Sequence, residues 1–189
     1  MKSTVTHPAK ILVDILGMRF KPMADHSVRV AEYSLMLARQ MAMPVEMQKI
    51  IYLAGLVHDI GKIGISSACL LKHGPLTVDD WEEIKKHPRL SYEILSSIPG
   101  MEEVALMALY HHERYDGRGY PEGLSGEAIP LGARVIAVAD SFDAMTSERV
   151  YRPTLSRREA ENEIRRCVGT QFDPQVVKVF CRLMMDGGV

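Results

Sequence analysis

Apolar residues along this chain recur about every three to four positions, the period of helices that bury one face. The pattern predicts a helix from Pro8 to about Phe20, with Ile11, Leu12, Ile15 and Leu16 on one face. A second starts near Asp25 or Ser27 and presents Val30, Tyr33, Leu37 and Met41. Pro44 suits the first turn of a third, which runs through Leu53 and Leu56 to His58-Asp59 before Gly61 and Gly64 break it. Thr77 reads as an N-cap ahead of Asp79 and Asp80, opening a helix that carries Trp81 and Ile84 and reaches His87-Pro88. Helices follow over about 90–97, 101–112 and 131–146, then one from Ser156 through Cys167 and one from Asp173-Pro174 through Met185. Between them, 113–130 holds Gly117, Gly119, Gly123, Gly126, Pro121 and Pro130, a loop of a length that is usually functional or disordered. No strand alternation and no internal repeat stand out. The expected fold is all-α, about seven to nine helices in one compact domain over 1–189. Residues 1–21 would form an N-terminal helix, 22–147 a core, and 148–189 the C-terminal helices.

Composition narrows the class without naming a function. The chain has 189 residues, 47% apolar and 25% charged, enough for one domain with a substantial core. No run approaches the ~18–20 apolar residues of a membrane span, and the N-terminus lacks the apolar block of a signal peptide. The three cysteines, Cys69, Cys167 and Cys181, form no CxxC pattern, which fits a reducing cytoplasm and argues against a thiolate metal site. A net charge of −1 provides no whole-molecule field for DNA or RNA.

Candidate chemistry centres on His58-Asp59, two strong metal ligands at the end of an apolar run. A buried carboxylate is costly unless paired or bound to metal, and a buried imidazole needs partners for its nitrogens. His26, His87, His111-His112 and Asp140 supply further donors from separate helices or helix ends. Imidazole and carboxylate without sulfur suit Fe, Mn, Co, Ni or Zn. The set exceeds what one tetrahedral zinc uses. Two metals about 3.5–4 Å apart would use it well, with Asp59 bridging, and would lower the pKa of a shared water for attack on a phosphodiester.

These residues sit in an ordered series of motifs. They are His26-Ser27-Val28-Arg29-Val30, His58-Asp59-Ile60-Gly61-Lys62, Lys86-His87-Pro88 and His111-His112-Glu113-Arg114-Tyr115-Asp116-Gly117-Arg118-Gly119-Tyr120-Pro121. Val138-Ala139-Asp140-Ser141-Phe142-Asp143 and Gln171-Phe172-Asp173-Pro174 complete it. The series resembles the HD-GYP domains, the branch of the HD metal-dependent phosphohydrolases associated with cyclic di-GMP. The resemblance implies metal ligation by His26, His58, Asp59, His87, His111, His112 and Asp140, with Fe or Mn foremost. It implies a catalytic role for Asp59 and Lys62, the latter at the scissile phosphate or the leaving oxygen. Substrate would be held by Lys62, Arg114, Gly119, Tyr120 and Pro121, with Arg149 or Arg152 reaching phosphate or guanine. Some members hold a third metal with a glutamate four residues before the first histidine. Here that position is Pro22, so two metals are expected.

The implied activity is hydrolysis of cyclic di-GMP to pGpG, and on to GMP. Two alternatives remain open at this point: an HD phosphohydrolase for another cyclic dinucleotide, and a signalling adaptor for GGDEF-type or other proteins, with homodimerisation also open. Among single residues, His111-His112 reads either as two ligands or as one ligand and a supporting donor. Asp143 reads either as support for the site or as a solvated carboxylate.

Overall fold

A computed structural model describes residues 6–147 and 154–185. The helices are α1 (Thr6–Arg19), α2 (Lys21–Gln40), α3 (Val45–Val57), the single turn α4 (Ser67–Leu70), α5 (Val78–Ile84), α6 (His87–Ser96), α7 (Glu102–Tyr110), α8 (Leu131–Thr146), α9 (Arg157–Arg166) and α10 (Pro174–Met185). 3-10 turns at Ile60–Gly64 and Gly126–Ala128 join them. The all-α class stands, with no strands among the described residues.

Several boundaries follow local chemistry. Thr77 caps α5 through a capping box with Asp80, and Ser156 caps α9 through one with Glu159. The Asp173 carboxylate accepts from Gln175 N and Val176 N at the start of α10. Other boundaries move. The second helix begins at Lys21, because Pro22 falls in its first turn, where its missing N–H costs nothing. Likewise α5 stops at Ile84, and His87-Pro88 opens α6 instead of closing α5.

One hydrophobic cluster runs through the molecule. The helices α2 and α3 pack as a pair, and α8 lies against α2. Val30, Leu37, Ile51, Val57, Leu95, Met101, Val104, Ile136, Val138 and Phe142 are buried within it. Phe142 meets Tyr33 and Phe180 edge-to-face, with centroids 5.3 and 5.2 Å apart, which ties α10 to α2 and α8.

The apolar stripe expected on α1 is corrected: Ala9, Leu16 and Phe20 are buried, whereas Ile11 and Ile15 are each nearly half exposed. Trp81 is also half exposed, and α5 buries no residue, so its ends are set by capping. No described helix is long and apolar enough to cross a membrane.

The long loop is ordered. Its Tyr115 N and Asp116 N donate to Gln171 O and Thr170 O at 3.2 and 2.8 Å, and Gly126 N donates to Tyr115 O at 3.0 Å.

Candidate metal centre

Five elements deliver the donors: His26 from α2, His58-Asp59 from the end of α3, His87 from the first residue of α6, His111-His112 from the end of α7, and Asp140 from α8. What holds the second and third together is Ser91. Its hydroxyl accepts from Gly61 N at 2.9 Å and donates to His58 O at 2.8 Å, welding α6 to the His58-Asp59 turn. Gly61 permits this approach, since a Cβ there would lie 2.1 Å from His87 O. Neither Ser91 nor its role is signalled by sequence pattern.

Three imidazoles share one device. Nδ1 of His58, His87 and His111 each lies 2.7 Å from the carbonyl three residues back, at Gly55, Ile84 and Ala108. A carbonyl only accepts, so Nδ1 carries a proton and Nε2 is the ring atom left to face the centre. Yet the Nε2 atoms of His87 and His111 face each other at 3.5 Å, and His87 Nε2 lies 3.2 Å from Asp59 Oδ1. Nitrogen and carboxylate oxygen atoms gathered this closely need a shared proton or a cation between them. His58 Nε2 and Asp59 Oδ1 are buried without a hydrogen-bond partner, which is also costly.

The donors fall into two groups. Asp59, His87, His111 and His112 offer atoms within 4.8 Å of one another, and so do His26, His58 and Asp140. Asp59 faces both groups. Its Oδ1 is 3.2 Å from His87 Nε2 and 4.0 Å from His111 Nε2. Its Oδ2 is 3.4 Å from His58 Nε2 and 4.0 Å from His26 Nε2. The Lys62 ammonium pairs with the same Oδ2 at 2.5 Å, one 3-10 turn on.

Protonation suits ligation at every shifted group but His26. Burial lowers His58, and burial with neighbouring imidazoles holds His111 well below its ordinary range. His112 is pushed down to about 3 by burial and by His87. Burial alone would raise Asp59, but the adjacent Lys62 ammonium and the facing imidazoles hold it well below the usual carboxylate range. Asp140, likewise opposed by burial, is held low by its hydrogen bond with His26. His26 differs: burial works against its charge, yet the Asp140 and Asp143 carboxylates raise it to about 9. Neutral imidazoles and ionised carboxylates are what a first-row divalent cation requires. The residues present fit a metal site.

Asp143, ambiguous from sequence, supports the site from behind. It is buried, lies 2.6 Å from His26 Nδ1, and accepts from Arg29 Nε at 2.5 Å and Nη2 at 3.1 Å. Its three-residue spacing after Asp140 was the available signal.

The expected substrate residues divide. Tyr120 lies beside the centre, with its ring centroid 4.9 Å from that of His112, and Lys62 is partly exposed. Gly119 has no room for a side chain, since a Cβ would sit 2.6 Å from His112 O and 2.4 Å from Arg114 N. Pro121 follows through a cis peptide. Arg114 is engaged elsewhere: its guanidinium forks onto Asp116 at 3.0 and 2.8 Å and reaches Gln171 Oε1 at 3.3 Å. Arg149 and Arg152 lie outside the described residues.

The family description HD domain matches residues 10–176. The chain belongs to the HD domain family. It is 44% identical over 156 residues to the cyclic di-GMP phosphodiesterase response regulator RpfG of Xanthomonas campestris pv. campestris, covering 82% of this chain and 41% of that protein. It is 40% identical over 175 residues to the 3'3'-cGAMP-specific phosphodiesterase 1 of Vibrio cholerae, covering 92% of this chain and 41% of that one. The chain thus spans about two fifths of the length of these curated relatives. In fold it is similar to Bd1817 from Bdellovibrio bacteriovorus, an HDG"Y"P protein, with a TM-score of 0.70 at 20% identity over 86% of this chain and 52% of that one.

Proposed function

We propose that this HD domain is a metal-dependent phosphodiesterase acting on a cyclic dinucleotide in the cytoplasm, with cyclic di-GMP as its substrate and pGpG, then GMP, as products. We take residues 1–189 as one catalytic domain. The observation that supports this reading best is Asp59, whose two oxygens face two separate groups of imidazole and carboxylate donors. His87, His111, His112 and Asp59 would hold one divalent ion, and His26, His58, Asp140 and Asp59 the other, with Fe or Mn foremost. Such a pair supplies Lewis acidity to a phosphodiester and to an attacking water.

The chain's own groups do the rest. The Lys62 ammonium, already paired with Asp59, would hydrogen-bond a nonbridging phosphate oxygen or the departing 3'-oxygen. Tyr120 offers a ring on which a purine base stacks. Burial and the nearby Asp59 and Asp140 carboxylates raise its phenol, so it stays a neutral hydroxyl that donates to substrate. Arg114 steadies the loop through Asp116 and Gln171 and is assigned no substrate contact.

A second substrate, 3'3'-cGAMP, is supported by the Vibrio cholerae relative named for it. The test is turnover of both dinucleotides by anaerobically purified protein whose metal content is measured in parallel. Two ions per chain and cyclic di-GMP hydrolysis are expected, both lost in Asp59→Ala. Metal-loaded protein that leaves both dinucleotides intact would refute the enzyme reading.

A further inference from the structure

Glu113 follows His112 directly, and its side chain is only 3% exposed. Its Oε1 accepts from two backbone amides across the loop, Glu122 N at 2.7 Å and Gly123 N at 3.0 Å. Its Oε2 is buried without a partner. A desolvated carboxylate is costly, and two charge-assisted bonds on one oxygen offset that cost only by fixing the segment that supplies the amides.

That segment carries Tyr120. Residues 119–123 fold back onto 112–114 at three points. Tyr120 N donates to His112 O at 3.3 Å, Gly119 presses on His112 O and Glu113 Cα, and Glu113 grips the far end. Between these points the Tyr120 ring is set at 30° to the His112 ring. The other tie on the segment is the Arg89–Glu122 ion pair, with both side chains about half exposed, and pairs of that kind hold little against salt and solvent. Of the two side-chain ties on the segment, the buried Glu113 grip is therefore the stronger.

We propose that Glu113 is a positioning residue. By anchoring Glu122 and Gly123 to the end of α7, it holds Tyr120 against the metal centre as the wall on which a substrate base stacks. This rests on the phosphodiesterase reading for its kinetic consequence. The placement of the loop stands on geometry alone.

The experiment compares Glu113→Ala, Glu113→Gln, Tyr120→Ala and the Glu113→Ala/Tyr120→Ala double variant as metal-loaded proteins. Steady-state kinetics with cyclic di-GMP, metal stoichiometry and hydrogen exchange at Tyr120 to Leu124 are measured on each. Glu113→Ala is expected to raise KM by roughly fivefold or more, the lower end of what losing one base–aromatic stack costs, with kcat and metal content near wild type. Its Glu122 and Gly123 amides should exchange at least about tenfold faster, since their acceptor is gone. Glu113→Gln keeps an acceptor oxygen at the same reach and should restore both KM and protection. In the double variant KM should match Tyr120→Ala alone, because the two residues act in series.

Unchanged exchange and KM in Glu113→Ala overturn the proposal. So does loss of metal with equal loss of kcat, which would mean that Glu113 acts through His112. If the wild type hydrolyses no dinucleotide, the functional reading fails, and the exchange data on the same proteins still decide whether Glu113 holds the loop.

Discussion

The Asp143 carboxylate lies 2.6 Å from Nδ1 of His26, on the ring edge opposite the Nε2 that faces Asp140 at 3.1 Å. One carboxylate orients the imidazole while the other shares its working face. Arg29 closes the arrangement by bonding both Asp143 oxygens. Removing such a carboxylate from behind a ligating histidine typically costs about 10–100-fold in metal affinity. Asp143→Asn should therefore weaken metal binding by that order, measured by competition against a chromophoric chelator. Undiminished affinity would deny Asp143 its role.

The same carboxylates make metal uptake pH-dependent. His26 is raised to about 9, while burial keeps His58, His111 and His112 neutral well below that. Ligation through His26 Nε2 requires its proton to leave. Apparent affinity should thus rise with pH from about 6.5 to 9, by at most about tenfold per unit, and level off above. Calorimetry in buffers of different ionisation enthalpy should record release of close to one proton per chain near neutral pH.

Lys62→Ala separates chemistry from metal binding. The ammonium pairs with Asp59 yet is partly exposed. We expect full metal content and a fall in kcat of about 100-fold, the scale of losing one donor to developing charge. Wild-type turnover would remove its assigned role.

Ser91→Ala probes the weld between α6 and the His58-Asp59 turn. Two buried backbone groups, Gly61 N and His58 O, would lose their partner, at a cost of about 1–3 kcal/mol each. Urea denaturation of chelator-treated protein should show the loss. Metal affinity should fall as well, because Ser91 fixes the distance between His87 and Asp59.

Phe142→Ala tests the core apart from the site. The ring is 1% exposed and joins Tyr33 to Phe180, so its removal should destabilise the fold by about 3–5 kcal/mol. Thermal unfolding measures it.

Much of this architecture is legible one segment at a time. The capping boxes at Thr77 and Ser156 involve partners three residues apart, and the helical period is a matter of neighbours within a turn or two. The candidate ligands were legible as well, because histidine and aspartate placed on apolar helix faces have few other physical uses.

What the chain could not display locally is pairing across its length. Asp143 reaches His26 over 117 residues and Ser91 reaches Gly61 over 30, and no pattern of neighbours encodes either contact. The face of α1 went the same way: Ile11 and Ile15 match the buried stripe in period, but both stay nearly half exposed among the described residues. Arg114 likewise reaches Gln171 over 57 residues, a partner no local pattern announces. Residue types and local geometry thus determined which helices form and which donors exist. Only the folded packing decided which oxygen of Asp59 meets which imidazoles, because burial and repulsion act between groups that meet only after the chain has closed on itself.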